Sequence, residues 1–345
     1  MALTHLFPAN SNPIVFSILA WYLFSLSISL YNKWMFGPDL GFEFPVIITS
    51  LHQMVLFILS GSCLLLTPQF RLAHDSKLSY SMPWQMYVRT ILPCALASAA
   101  DIGAGNSSFR FITLSLYTMV KSSSLVFVLL WGVAFKLETL STRLVLIVAI
   151  MTGGVVMMVY GHDSKDGDNR PTHIFIGCSL VLISAVMSGL RWALTQLLLK
   201  RHSHTQNPIL TIFYLSPAMS IALFITGGFL EGFGSFAASK VWDIKGVPVT
   251  LCLLVIPGIL AFLMTLSEFI LLSYASLLTL SIAGIFKELL TILLGHLVFG
   301  DSLSLINGVG LLITLLDILW YNYYRLTESS TVPTLTDVEL EEVNE

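Results

Sequence analysis

Apolar runs of about 20 residues recur along nearly the whole of this chain, separated by short polar breaks, and each is long enough to cross the ~30 Å hydrocarbon core of a bilayer as a helix. Charge is scarce to match. Asp, Glu, Lys and Arg make up 11% of the 345 residues, against about 25% in a soluble domain. A large soluble core would not break into so many long runs. The sequence is therefore read as an all-α, polytopic membrane protein.

The spacing predicts ten transmembrane helices, at 14–35, 44–66, 84–105, 111–135, 143–160, 174–199, 209–230, 248–272, 277–299 and 303–324. Around them lie an N-terminal segment (1–13), a polar linker (161–173) between the two sets of five, and an acidic tail (326–345) whose composition favours disorder. The first five-helix unit runs from 14 to 160 and the second from 174 to 325. The halves resemble each other. Lys121 and Lys287 each fall near the middle of the fourth helix of a set. The first helix of each set carries a basic residue followed by Trp, Lys33-Trp34 and Arg191-Trp192. Thr139 and Ser302 are expected to cap the helices that follow. Five is an odd number, so the second unit must insert inverted, an arrangement that places transporter sites near the midplane.

If both termini face the cytoplasm, that side holds eight Lys and Arg (71, 77, 89, 136, 143, 200, 201, 325) and the other side six (33, 110, 165, 170, 240, 245). The bias is small and in the positive-inside direction. The sequon at 106–108 falls at a helix end and is expected to stay unmodified. Four scattered cysteines have neither metal spacing nor a disulfide pattern.

The stretch "SIAGIFKELLTILLG" sets Lys287 and Glu288 inside an apolar helix. A lysine at the bilayer centre costs ~2.5–3.5 kcal/mol, so such residues face the bundle interior or water. Around Lys287 the positions Ser281, Gly284, Glu288, Thr291 and Gly295 make a small, polar stripe. Around Lys121 the stretch "SLYTMVKSSS" supplies Tyr117 and Ser122 among other polar groups. Two ammonium groups converging on one cavity favour an anion, and phosphate above all. Glu288 would partly neutralise the empty site. Tyr31, Tyr117 and Tyr214 are candidates to stack on a base or bond a ribose, with core packing as the competing role. Asp101, Arg191, Glu268 and Asp317 are candidates for ion pairs or proton coupling, and Arg191 and Lys33 lie close enough to helix ends to snorkel. On this reading, loss of either Lys121 or Lys287 abolishes anion exchange and leaves folding intact. No triad, metal cluster or other reactive constellation points to an enzyme or a cofactor.

The segments "YNKW", "SLYTMVKSSSLVFVLLWGVAFKLE", "GLRWALTQLLL", "QNPI" and "ASLLTLSIAGIFKELLTILLGHLVFGD" resemble the triose-phosphate and nucleotide-sugar transporter family of the drug/metabolite transporter superfamily. Within it the chain is most similar to the GDP-fucose-transporter-like subfamily C of solute carrier family 35, over about residues 14 to 325. The resemblance implies ten helices in an inverted repeat. It also implies exchange of a cytosolic nucleotide sugar, GDP-fucose among the candidates, for a lumenal nucleoside monophosphate across the Golgi membrane. It assigns Lys287 to substrate phosphate, Lys121 to the fourth-helix "VKSS" element, and Asn32 and Lys33 to the first-helix "NK" element. Two departures stand out. Plastid triose-phosphate carriers have a second base directly after the ninth-helix lysine, where this chain has Glu288. The Gly-Ala-Leu-Asn-Lys motif of GDP-mannose carriers is replaced by "AGIF" before Lys287. A proton-coupled exporter using Glu268 or Glu288, and a non-transporting membrane factor that modulates glycosylation, remain as other readings. The expected partners are substrate, counter-substrate and lipid, with no nucleic acid; the sequence leaves a homodimer open.

Overall fold

The computed structural model describes residues 13–37, 40–66, 84–135, 142–160, 171–201, 207–274, 277–300 and 304–329. Regular structure among the described residues is entirely helical. The long helices are α1 (Pro13–Phe36), α2 (Pro45–Leu66), α3 (Trp84–Met86, Tyr87–Ile91 and Leu92–Ser108 in sequence), α4 (Leu114–Lys121 and Ser124–Ala134), α5 (Thr142–Tyr160), α6 (Pro171–Arg201), α7 (Pro208–Leu230), α8 (Val247–Tyr274), α9 (Leu277–Phe299) and α10 (Leu305–Ser329). Six of them, α1, α2, α4, α6, α7 and α8, are apolar and long enough to cross a membrane.

Local chemistry explains where the helices begin and bend. Asn207 caps α7 through its side-chain oxygen, which accepts from the Ile209 N–H at 3.0 Å, and Pro208 fills the first helical position, where no donor is needed. Thr113 caps α4 in the same way, accepting from Leu116 N, so α4 starts three residues later than its hydropathy implies. It is also broken. Ser122 and Ser123 turn their hydroxyls onto the carbonyls of Met119 and Val120, at 2.6 and 2.7 Å. Hydroxyls that bond nearby carbonyls bend helices, and the gap in α4 leaves Lys121 at the end of its first half. In α3, Pro93 has no N–H to donate, and the ladder just before it widens to a π-turn over Tyr87–Ile91. Ser304 caps α10 in exchange with Asn307. The expected caps Thr139 and Ser302 lie outside the described residues. α10 runs to Ser329, so the first part of the expected acidic tail is helical. The sequon asparagine is not in a loop: Asn106 lies in the last turn of α3, buried, and donates to Thr49 Oγ1 at 2.8 Å.

The packing is paired. α1 lies along α8 as α6 lies along α3; α2 packs on α7, α4 on α9 and α5 on α10. Where α4 and α6 cross, a Cβ on Gly189 would stand 2.7 Å from Phe127 Cβ, so only glycine permits the approach.

The end of the bundle where α1 stops and α2 starts is held by polar clamps around an aromatic cluster. Phe42 stacks on Phe236 with centroids 5.7 Å apart, and Trp242 meets both edge-on. Arg110 pairs with Glu43 at 2.7 Å. Lys33, expected either to snorkel or to meet substrate, is buried and donates to the carbonyls of Phe109 (3.0 Å) and Ile112 (2.7 Å). It fastens the α3–α4 connection onto α1. Hydrogen bonds to a charged group contribute about 1.5–3 kcal/mol each. Lys33→Met is therefore expected to lower the thermal midpoint by several degrees, read by melting the purified protein.

Glu231, just past α7, caps α2 from outside: its carboxylate accepts from Val46 N (2.8 Å) and Ile47 N (2.9 Å). Burial pushes this carboxyl above its usual 4.5, against the opposing pull of those two N–H groups and Arg110. The folded state thus holds the proton more tightly than the unfolded one. That contribution to stability is present at acid pH and is lost as pH rises from the ordinary value through the raised one. The difference in thermal midpoint between the parent and Glu231→Gln should change across that window and be constant outside it.

Candidate functional site

The central charges gather where α3, α4, α6 and α9 approach α1. Asp101 of α3, only 4% exposed, is the hub. The Lys121 ammonium donates to its Oδ1 in a short ion pair, and Arg191 Nε reaches its Oδ2 at 3.3 Å. Ser184 completes the arrangement: its Oγ accepts from Lys121 Nζ at 2.5 Å and contacts Asp101 Oδ1 at 2.7 Å. Beside it, a Cβ on Gly105 would meet Ser184 Oγ at 3.1 Å and the Tyr117 hydroxyl at 3.2 Å, so the glycine leaves room for both groups. Arg191 therefore does not snorkel. It sits mid-helix on a carboxylate, with its guanidinium 5.1 Å from the Trp192 ring centroid.

Lys287 is placed differently. Among the described residues it forms no salt bridge, and its ammonium lies 4.4 Å from the centroid of the Trp21 ring. Trp21 is buried on α1, the neighbouring Tyr22 hydroxyl donates to Ala283 O on α9 at 2.6 Å, and the Trp21 ring packs beside Gly284. Lys121 and Lys287 are close enough to repel each other, and Glu288 attracts both. Tyr117 lies within the same field, near Asp101, Arg191 and Glu288. The structure thus brings together Lys121, Lys287, Glu288, Tyr117, Gly284, Asp101 and Arg191, with Glu268 acting on Arg191 from beyond.

The other expected site residues are committed elsewhere. The Tyr31 hydroxyl donates to Leu253 O at 3.0 Å, tying α1 to α8. Tyr214 accepts at its main-chain oxygen from the Tyr87 hydroxyl at 3.0 Å and packs on Phe213. Asn32 donates to Asn106 at 3.4 Å, beside Lys33. The Ser122 hydroxyl is used within its own helix. Asp317 is buried without a partner for either oxygen. Two members of the cluster escape a reading of the sequence. Ser184 could have been found on the stripe Ser184, Ser188, Arg191, Thr195, whose spacing puts four polar groups on one face of α6. Trp21 was marked only by lying mid-helix, far from the interfaces where tryptophan usually anchors.

The geometry makes a compact charged cluster in which, among the described residues, two cations are tied to a single carboxylate and Lys287 forms no salt bridge. Residues 13–322 match the family model described as the Triose-phosphate Transporter family. The chain belongs to this family. Among its relatives is the "Putative nucleotide-sugar transporter YMD8" of Saccharomyces cerevisiae, 34% identical over 89% of this chain and 83% of that protein. A "Probable sugar phosphate/phosphate translocator" of Arabidopsis thaliana is also 34% identical, over 92% of this chain and 74% of its own length. A solved crystal structure superposes with a TM-score of 0.50 at 12% identity, covering 89% of this chain and 94% of the other, which supports the fold alone. The family and these relatives are transporters rather than enzymes, and the triose-phosphate transporter resemblance read in the sequence holds.

Proposed function

We propose that this triose-phosphate transporter family member is an antiporter that exchanges a nucleotide sugar for a nucleoside monophosphate through the Lys121–Lys287 site, in the Golgi membrane with both termini cytoplasmic. The observation that carries the reading is Lys287: an ammonium inside the helix bundle resting on an aromatic face, in range of Lys121 but free of any carboxylate bond among the described residues. An ammonium over a ring keeps about 0.5–2 kcal/mol of that contact, less than a charge-assisted hydrogen bond to phosphate offers, so a phosphoryl group displaces the ring and the site releases it again without a deep trap. Asp101 holds Lys121 and Arg191 in place meanwhile. Rocking of two inverted five-helix halves around this site is supported by the pairing of α1–α8 with α3–α6 and by the self-paired α2–α7, α4–α9 and α5–α10, which is what a two-fold axis in the membrane plane produces.

A second reading, exchange of a sugar phosphate for phosphate, has the printed names of the Arabidopsis relatives in its favour. The departure at Glu288, where plastid triose-phosphate carriers have a second base, weighs against a triose phosphate as its substrate. The test is uptake of labelled nucleotide sugars, GDP-fucose first, and of sugar phosphates into liposomes holding the purified protein. The vesicles are preloaded with nucleoside monophosphate or with inorganic phosphate. Uptake of a nucleotide sugar driven only by the monophosphate is expected; uptake of sugar phosphates driven by phosphate would favour the second reading.

A further inference from the structure

Asp317 stands outside the anion site. It lies on the buried stripe Gly310, Thr314, Asp317, Tyr321 of α10, is 3% exposed, and neither carboxyl oxygen has a hydrogen-bond partner among the described residues. The surroundings are apolar and tight. One turn to one side, a Cβ on Gly154 of α5 would stand 3.1 Å from Gly310 O and 3.3 Å from Thr314 N, so α5 and α10 lie close there, and the Thr314 hydroxyl is spent on Gly310 O. Leu315 and Ile318 pack with Val126 and Met151, and Tyr321 packs with Leu129 and Ile147. The elements around α10 offer no counter-charge. α5 carries Arg143 and Tyr160 at its two ends and no titratable group between them. α4 carries Tyr117 and Lys121, and Lys121 is taken by Asp101. α9 carries Lys287 and Glu288, which act on each other and on Lys121, and the exposed His296. α10 itself adds tyrosines, and Arg325 and Glu328 near its end. Among the described residues none of these groups forms a hydrogen bond or salt bridge with Asp317.

An ionised carboxylate buried without partners costs several kcal/mol and escapes that cost by taking up a proton. We infer that Asp317 is a proton-binding site, and that its bound proton holds the α5–α10 seam closed. Separating α5 from α10 admits water, and the proton is then free to leave; closing the seam requires it back. This ties a helix pair joining the two halves of the chain to proton binding, at a position distinct from Lys121 and Lys287.

The full-length protein in detergent tests this with dicyclohexylcarbodiimide, a lipophilic reagent that attacks protonated carboxyls in apolar surroundings. Mass spectrometry should find the adduct on Asp317, in a yield that falls as pH rises; labelling of other carboxyls with none on Asp317 at any pH overturns the inference. Thermal melts supply the second arm. The parent midpoint should drop by a few degrees between mildly acidic and alkaline pH, and Asp317→Asn, which mimics the protonated group, should cut that drop. Parallel curves for parent and variant would overturn the inference. Should Asp317→Asn fail to fold, Asp317→Leu takes its place in the melts, and the labelling result stands on the parent alone.

Discussion

Asp101→Asn will be among the most damaging single substitutions in this protein. Two cations, Lys121 and Arg191, rest on that one carboxylate, and it is the only acidic group in an ion pair with either among the described residues. Removing one partner of a buried pair costs about 3–5 kcal/mol, because the remaining charge is left desolvated. Total stabilities run at about 5–15 kcal/mol, so the loss is a large share of the whole. The expected result is a steep fall in folded, detergent-stable protein, measured by fluorescence-detected size exclusion and by thermal melting. The double variant Asp101→Asn with Lys121→Met should recover part of the loss, because one stranded cation has gone. If the two losses simply add, Lys121 and Asp101 are not a pair.

Lys287→Ala is expected to do the reverse: leave the fold and remove the function. Its contact with Trp21 contributes about 0.5–2 kcal/mol, and no carboxylate bond is broken, so the melting midpoint should move little. On the proposed function, exchange depends on the ammonium. Losing a hydrogen bond to a charged group at about 1.5–3 kcal/mol corresponds to a drop of about 10- to 100-fold in affinity for the anion, read as KM in liposome exchange. Lys287→Arg tests geometry at constant charge, since a planar guanidinium does not occupy the seat of a compact ammonium. Sequence alone gave Lys121→Ala the same outcome as Lys287→Ala. The ion pair with Asp101 separates them: loss of Lys121 takes stability as well as transport.

The contrast shows how far the sequence could be read. Helix positions followed from apolar length, and most boundaries fell within three residues, because twenty apolar residues have few alternatives in a bilayer. The break in α4 was missed because hydropathy does not register two serines, Ser122 and Ser123, competing for their own backbone. Lys121 and Lys287 were found through the cost of burying charge, which a sequence displays openly. Asp101 was legible only as one of several candidates for an ion pair, and Ser184 and Trp21 not at all, because they are separated from their lysines by 20, 63 and 266 positions, and pairing across such distances is a property of packing. Lys33 illustrates the same limit. Its place near the end of α1 suggested a side chain reaching for water, whereas the α3–α4 connection folds over it and supplies two carbonyls. Tyr31 and Tyr214 were chosen for polar faces, and those faces turned out to join helices.

The most direct measurement is a structure of the protein with a nucleoside monophosphate bound. The account predicts that Lys287 leaves the Trp21 face and that a phosphoryl oxygen lies about 2.7–2.9 Å from its ammonium, the length of a charge-assisted hydrogen bond, with Lys121 on the other side of the same group. A nucleotide held elsewhere, with Lys287 still seated on Trp21, would contradict it.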